Sequence, residues 1–297
     1  MTKGTGTSSA TQWKIGDVRV TKVVEHEPTI PLNGLLVDVE DAAIARHPWL
    51  TPEFVTAEGL AQLSIHGLVI DTGERRILVD TCVGNMREGL VMPPLPSAFL
   101  DSLAAGGYAP EDIDTVICTH LHFDHVGWNT RLVDGEWVVT FPRARYLFAR
   151  TEWEHWQVAE SEYSKNIGDT VRPVIESGAA DLVEVDHQVC AQVRLEPTPG
   201  HTPGHVSVVI ESSADAAGGN PERAYITGDM AHHPIQFAEP DIGAPADSDS
   251  AQAAQTRRAF LAARERDGAL VIGTHFGGPT AGRVVADGSA WRLVTDR

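Results

Sequence analysis

The chain predicts an α/β fold in a single domain, and three observations carry that prediction. Strand-like and helix-like stretches interleave from end to end, no low-complexity linker separates them, and histidines and aspartates stand where β-runs stop. Length alone leaves one large domain or two small ones open, since 297 residues with 42% apolar content can bury a substantial core either way. The unbroken interleaving favours one.

Residues 1–12, MTKGTGTSSATQ, are polar and rich in Gly, Ser and Thr, which predicts a disordered tail ahead of a domain over 13–297. From Trp13, WKIGDVRVTKVVEH alternates apolar and polar residues around a Gly-Asp turn, and LSIHGLVIDTGERRILVDT (63–81) repeats the pattern around Asp71-Thr72-Gly73. Both predict β-hairpins. Between them, residues 27–61 hold four prolines and a helical piece near 40–46, too irregular for a core strand, so a rim or lid is expected there. A second rim segment, 86–100, runs into a helix from about Ser97 to Ala105, and IDTVICTH then makes a short buried strand ending at His120. EWVVTFPRARYLFA predicts two more strands. The helical stretches TEWEHWQVAESEY and SKNIGDTVRPVIESG follow, with Trp153, Trp156 and Tyr163 near one face, and 151–175 is a third rim segment. Strands are expected at about 182–186, 189–196, 205–212 and 223–228, then a helix over about 249–266, the strand ALVIG and the final GRVVADGSAWRLV.

A formal net charge of −18 with a pI near 5.0 repels phosphate backbones and anionic membrane surfaces, and no basic patch offsets it. Nucleic acid and membrane are therefore not expected partners. No stretch approaches the ~20 apolar residues of a membrane span. Cys82, Cys118 and Cys190 lie far apart in apolar runs without a CxxC pair, as suits small buried hydrophobes in a reducing compartment, and the cytoplasm is the expected location.

The chemistry concentrates in CTHLHFDHVGWN (118–129), where His120, His122, Asp124 and His125 fall within six positions. Neutral imidazole with carboxylate suits zinc and similar divalent ions. In an extended turn His120 and His122 point the same way, while Asp124 and His125, at the start of a helix, face a second point. His201 in a Pro/Gly turn, Asp229 after AYIT and His275 after ALVI also sit at the ends of β-runs, and that shared placement argues that they converge.

These stretches resemble the metallo-β-lactamase superfamily: THLHFDH at 119–125, TPGHTPGH at 198–205, TGD at 227–229 and GTH at 273–275, in that family's order, with LVDT at 78–81. The resemblance implies a four-layer αββα sandwich holding two divalent ions, zinc first, with manganese, iron or cobalt as alternatives. It implies that His120, His122 and His201 bind one metal, that Asp124, His125 and His275 bind the other, and that Asp229 bridges them. The implied reaction is attack by a metal-bridging hydroxide on a lactone or carboxylic ester, with the free oxygen of Asp124 shuttling a proton to the leaving group. His205 is not a ligand in the family and is expected to be structural, and Asp80 is expected in a buried hydrogen-bond network beneath the site.

Within the superfamily the chain looks most like the lactonase and methyl parathion hydrolase-like group. Class B β-lactamases lack the bridging aspartate found here as Asp229, flavodiiron proteins carry glutamate where His122 stands, and only 22 residues follow His275, where glyoxalase II appends a helical domain. Acyl-homoserine lactonases have a tyrosine three residues beyond the bridging aspartate. Here that position is His232, which either donates a hydrogen bond to substrate or stands at the rim without catalytic duty. The expected substrate is a small ester or lactone with an apolar portion. Organophosphate triester hydrolysis, mononuclear-iron persulfide dioxygenase-like chemistry and a non-catalytic metal-binding role are the alternatives, and a homodimer is left open.

Overall fold

The computed structural model describes residues 10–37, 39–40, 42–85, 90, 97–212 and 221–295. The first part of the chain supplies β1 (Gln12–Ile15), β2 (Val18–His26), β3 (Thr29–Ile30), β4 (Ala61–Gln62), β5 (Ile65–Asp71), β6 (Arg76–Val79), β7 (Thr115–Ile117), β8 (Thr130–Val133), β9 (Glu136–Val139), β10 (Arg145–Ala149) and β11 (Ala180–Val183). Seven of these form one mixed sheet in the order β1-β2-β5-β6-β7-β10-β11, while β3 with β4 and β8 with β9 pair as separate two-stranded ribbons. The remainder supplies β12 (Gln188–Cys190), β13 (Val193–Pro197), β14 (Val206–Glu211), β15 (Arg223–Ile226), β16 (Leu270–Ile272), β17 (Ala281–Asp287) and β18 (Ala290–Val294), which make a second seven-stranded sheet in sequential order.

Side-chain alternation sorts each strand between two cores, because successive residues of a strand face opposite sides of its sheet. Leu68, Ile70 and Ile117 from the first sheet meet Val208, Ile210, Ala224 and Ile226 from the second in a core between the sheets. Their neighbours Val69 and Val116 face outward against Phe99 and Leu103 of α2 (Phe99–Ala105), with Trp153 and Val174 also in that cluster. Val209, Tyr225 and Val271 pack outward on Phe260 and Leu261 of the long C-terminal helix Ser250–Asp267. Three cores between four layers give the αββα sandwich expected from the sequence. That helix is capped at its start by the Asp249 side chain, which accepts from Gln252 N, and at its end by Gly268 in the left-handed region, where the missing Cβ removes the strain.

The two expected hairpins are β1–β2 and β5–β6. Four details differ from expectation. Residues 1–9 of the expected tail lie outside the described residues, but Thr11 O accepts from Lys22 N and Gln12 opens β1, so order begins before Trp13. The strand expected over 189–196 is a hairpin, because the chain reverses at Ala191–Gln192 and Cys190 pairs back with Val193. EWVV pairs with an unforeseen β8 across Asp134-Gly135, both at positive φ as a tight hairpin turn requires. The helical stretch after β10 is broken into α4 (Arg150–Trp156), α5 (Ile167–Thr170) and α6 (Arg172–Glu176), the last opening with Pro173 in its first turn. The short helices α1 (Ala43–Arg46), α3 (Phe123–Val126) and α7 (Ile235–Ala238) complete the set, with Ser250–Asp267 as α8. Among the described residues no helix is long and apolar enough to cross a membrane.

Candidate metal centre

Strand ends from both sheets deliver the chemistry to one edge of the sandwich. The loop after β7 carries His120 and His122, and α3 begins at Phe123 so that Asp124 and His125 lie in its first turn. From the second sheet, His201 follows β13, Asp229 follows β15 and His275 follows β16.

All seven predicted residues come together. One ring nitrogen each from His120, His122 and His201 lies within 4.8 Å of the others, as do ligand atoms of Asp124, His125 and His275. Asp229 stands between the two groups: its Oδ2 is 3.9 Å from His120 Nε2, 3.6 Å from His201 Nε2 and 3.3 Å from His125 Nε2, and its Oδ1 is 3.2 Å from His275 Nε2. The Nε2 atoms of His120, His122 and His125 are buried and have no hydrogen-bond partner among the described residues. Buried polar atoms without partners are costly, and a divalent cation is what this donor set fits.

The electrostatics suit such an ion. Burial, then the neighbouring imidazoles, hold His120 and His122 well below the usual histidine range, so both are neutral with lone pairs free. Burial opposes the charge on Asp229, but His125, His275 and His232 outweigh it and keep the carboxylate ionised. His125 and His275 are raised in return: burial works against their protonated forms, and Asp229 and Asp124 prevail.

Partners behind the ring fix its geometry. Asp80, at φ 59°, accepts from Thr119 N at 2.8 Å and lies 2.9 Å from His125 Nδ1, the buried network expected of it. His205 Nε2 accepts from Asp229 N at 2.8 Å while its Nδ1 meets Thr198 Oγ1 at 2.9 Å, so both ring nitrogens are occupied and the residue is structural. Gly228 between them has φ 54°, and a Cβ there would lie 2.5 Å from His205 Nε2. His233 turns away, its Nε2 on Phe54 O. His232 turns in: its Nε2 is 3.2 Å from Asp229 Oδ2, and its backbone is held by Gln236 Oε1.

Three contributors escaped the sequence reading. Asp247 lies 2.8 Å from His201 Nδ1 through Oδ1, but its PADSDS context carries no motif. Glu152 looks like any polar helical residue, yet it is buried among the metal-site loops. Arg257, also buried, donates to Met230 O, Pro240 O and Ile242 O and so braces the chain around His232.

Above the ring opens a cavity of about 350 Å³ whose walls include Pro28, Ile30, Leu35, Leu63, Ile65, Phe123, Tyr163 and Ala244–Ala246. The 27–61 segment and Tyr163 line it as expected, and Trp156 packs behind His122 at 5.5 Å. The 244–246 contribution was not foreseen. Of the expected 86–100 border, 86–89 and 91–96 lie outside the described residues, and 90 and 97–100 do not line the cavity.

An αββα sandwich with two histidine-rich ligand groups sharing an aspartate at its edge defines a class of metal-binding protein. The chain belongs to the metallo-β-lactamase superfamily, whose family pattern matches residues 62–275. An N-acyl homoserine lactonase of a Bacillus species is 32% identical over 172 residues, covering 53% of this chain and 62% of the relative. A probable metallo-hydrolase of Mycobacterium tuberculosis is 30% identical over 176 residues, covering 53% of this chain and 56% of the relative. The matches thus span about three-fifths of the relatives' length. Among solved structures, the hydrolase AbOPH of the beta lactamase superfamily superposes with a TM-score of 0.79 at 23% identity, covering 98% of both chains. AidC, a dizinc quorum-quenching lactonase in complex with a product, superposes with a TM-score of 0.78 at 18% identity, covering 97% of this chain and 98% of that one. At these identities the superpositions show the shared fold.

Proposed function

We propose that the protein is a dinuclear metal-dependent hydrolase that opens lactones or cleaves carboxylic esters with an apolar acyl portion. The observation that carries the reading is the pair of ligand groups on either side of Asp229 at the floor of an apolar cavity. It is supported by relatives named N-acyl homoserine lactonases and by similarly folded lactonases with N-hexanoyl-L-homoserine bound. Zinc is the proposed metal, in line with the dizinc neighbour and the imidazole-rich donor set.

His120, His122 and His201 would hold one ion and Asp124, His125 and His275 the other, with Asp229 shared. Ions bound there supply Lewis-acid charge and acidify water toward neutrality. The chain's own residues then orient and exclude. Leu63, Ile65 and Phe123 keep bulk water from the acyl portion, and no Lys or Arg lines the cavity among the described residues, which favours a neutral substrate. Asp124, the partly exposed member of the ring, would pass the proton given up by the attacking water to the leaving oxygen. His232 directs its ring at the reacting centre as a hydrogen-bond donor to the carbonyl oxygen.

The test is metal quantification followed by a panel of lactones, aryl esters and phosphotriesters. Two zinc equivalents with turnover of lactones or esters, abolished by chelation and by Asp229→Ala, is the expected result. Two bound metals with no turnover on the panel would overturn the hydrolase reading, and phosphotriester turnover alone would transfer it to phosphorus. One iron with oxygen uptake would point to oxidoreductase chemistry, which the complete second ligand group argues against.

A further inference from the structure

Glu152 lies in the first turn of α4 and is 1% exposed. A buried carboxylate is costly unless charge or hydrogen bonds compensate it, and among the described residues Glu152 has no ion pair. Its compensation is three N–H donors. Oε1 accepts from Leu121 N at 3.1 Å and from the Trp156 indole Nε1 at 2.6 Å, and Oε2 accepts from Gly204 N at 2.9 Å.

The identity of those donors is the point. Leu121 separates His120 from His122, and Gly204 is three residues past His201 and one before His205. One carboxylate therefore takes one loop on each oxygen, and the two loops are those that bear the first ligand group. Neither donor has a sheet ladder to fall back on, because both lie in irregular backbone between strands. Across the gap, His122 Nδ1 and His201 Nε2 stand 3.0 Å apart, so a small change in loop spacing alters their meeting directly. Trp156, the third donor, leans its ring on His122 at 5.5 Å and 60°. The approach is close enough to demand glycine: a Cβ on Gly204 would lie 2.4 Å from Glu152 N and 2.7 Å from its Cα.

We propose that Glu152 is a positioning residue that sets the spacing between the loop at 119–122 and the turn at 198–205, and thereby the geometry of the His120/His122/His201 group. The proposal rests on the reading that this group holds a metal ion. A glutamine at 152 keeps the volume but turns one acceptor into an NH2 that faces an N–H, so one loop is released while the other is held. An aspartate keeps the charge but is one methylene shorter, and it reaches one loop only.

The experiment titrates full-length wild type, E152Q and E152D with zinc against a chromophoric chelator, and records the visible spectrum of each loaded with cobalt. Wild type should bind two equivalents. Each variant should bind one of them roughly tenfold to a hundredfold more weakly, leave the other unchanged, and show an altered cobalt spectrum at the weakened site. E152D carries the test if E152Q does not fold. Wild-type affinities and spectrum in a folded variant would overturn the proposal even if its melting temperature fell, since a merely structural carboxylate does that much. Fewer than two equivalents in wild type would instead overturn the dinuclear reading beneath it.

Discussion

His201 and Asp247 are joined at 2.8 Å, Nδ1 to Oδ1, while the second oxygen of Asp247 accepts from Ala244 N at 2.8 Å in the cavity wall. Burial works against the Asp247 charge, and the bond to His201 outweighs it and holds the carboxyl below its ordinary range. One side chain thus orients a ligand and anchors the wall. Asp247→Ala is expected to weaken zinc by roughly tenfold to a hundredfold and to raise KM, as 244–246 loses its tether. Chelator competition and steady-state kinetics on one lactone check both parts, and wild-type zinc affinity would refute the first.

His232 and His275 stand parallel, their planes within 1° and their centroids 5.8 Å apart. With its Nε2 beside Asp229 and its ring in the cavity lining, His232 is available to substrate. His232→Ala should lower kcat by about tenfold or more with a smaller change in KM, as for loss of a donor to developing negative charge. A variant with unchanged kcat would return His232 to the rim.

Arg257 is fully buried and its three bonds all go to backbone carbonyls rather than to a carboxylate. Burial outweighs the carboxylates of Asp247 and Asp241 and pulls its pKa down to about 10. Arg257→Met removes the cation but strands Met230 O and Pro240 O, while Ile242 O keeps the Gln236 Nε2 donor at 2.9 Å, at a cost of about 1–3 kcal/mol for each group left unsatisfied. Urea unfolding should show a net loss of a few kcal/mol, on the order of one or two such groups, and kcat should fall because Met230 adjoins Asp229. Arg257→Lys should recover part of the stability. Equal stability in wild type and Arg257→Met would dispose of the clamp.

His233 accepts from Ile235 N through Nδ1 and meets Phe54 O through Nε2, so its neutral tautomer satisfies both neighbours. A second proton would face an N–H, and burial lowers the pKa from an ordinary 6.5 to about 4. The folded state therefore favours the neutral form. Its stabilising effect is full above about pH 6.5 and is lost as pH falls toward about 4, a swing of roughly 3 kcal/mol. The stability advantage of wild type over His233→Gln, measured by denaturant unfolding, should shrink across that window. A constant difference from pH 7 to pH 4 would rule the effect out.

The positions that gather at the candidate metal centre were legible because the chemistry is compressed: His120 to His125 crowd six positions, and His201, Asp229 and His275 each follow an apolar run. Alternation located β1, β2, β5 and β6 because their faces are truly unequal or wholly buried. It failed at β8, where Leu132 and Val133 are exposed and apolar character does not track burial. There the Asp134-Gly135 turn was the only usable signal. Asp247 and Glu152 were illegible for another reason. Their partners lie 46 residues and 31 to 52 residues away, and an acid that meets a distant imidazole or backbone N–H carries no local pattern.

The candidate ligands come from both halves of the polypeptide. His120, His122, Asp124 and His125 belong to the sheet built before Val183, and His201, Asp229 and His275 to the sheet built after Gln188. An ion bound at that edge would thus be a reversible cross-link between the two sheets, closing chain loops of up to about 150 residues. Its strength would follow free-metal concentration rather than redox state, so the unfolding midpoint should climb with added zinc and drop under chelation. In this architecture the reagent for the proposed chemistry would double as the clasp of the sandwich.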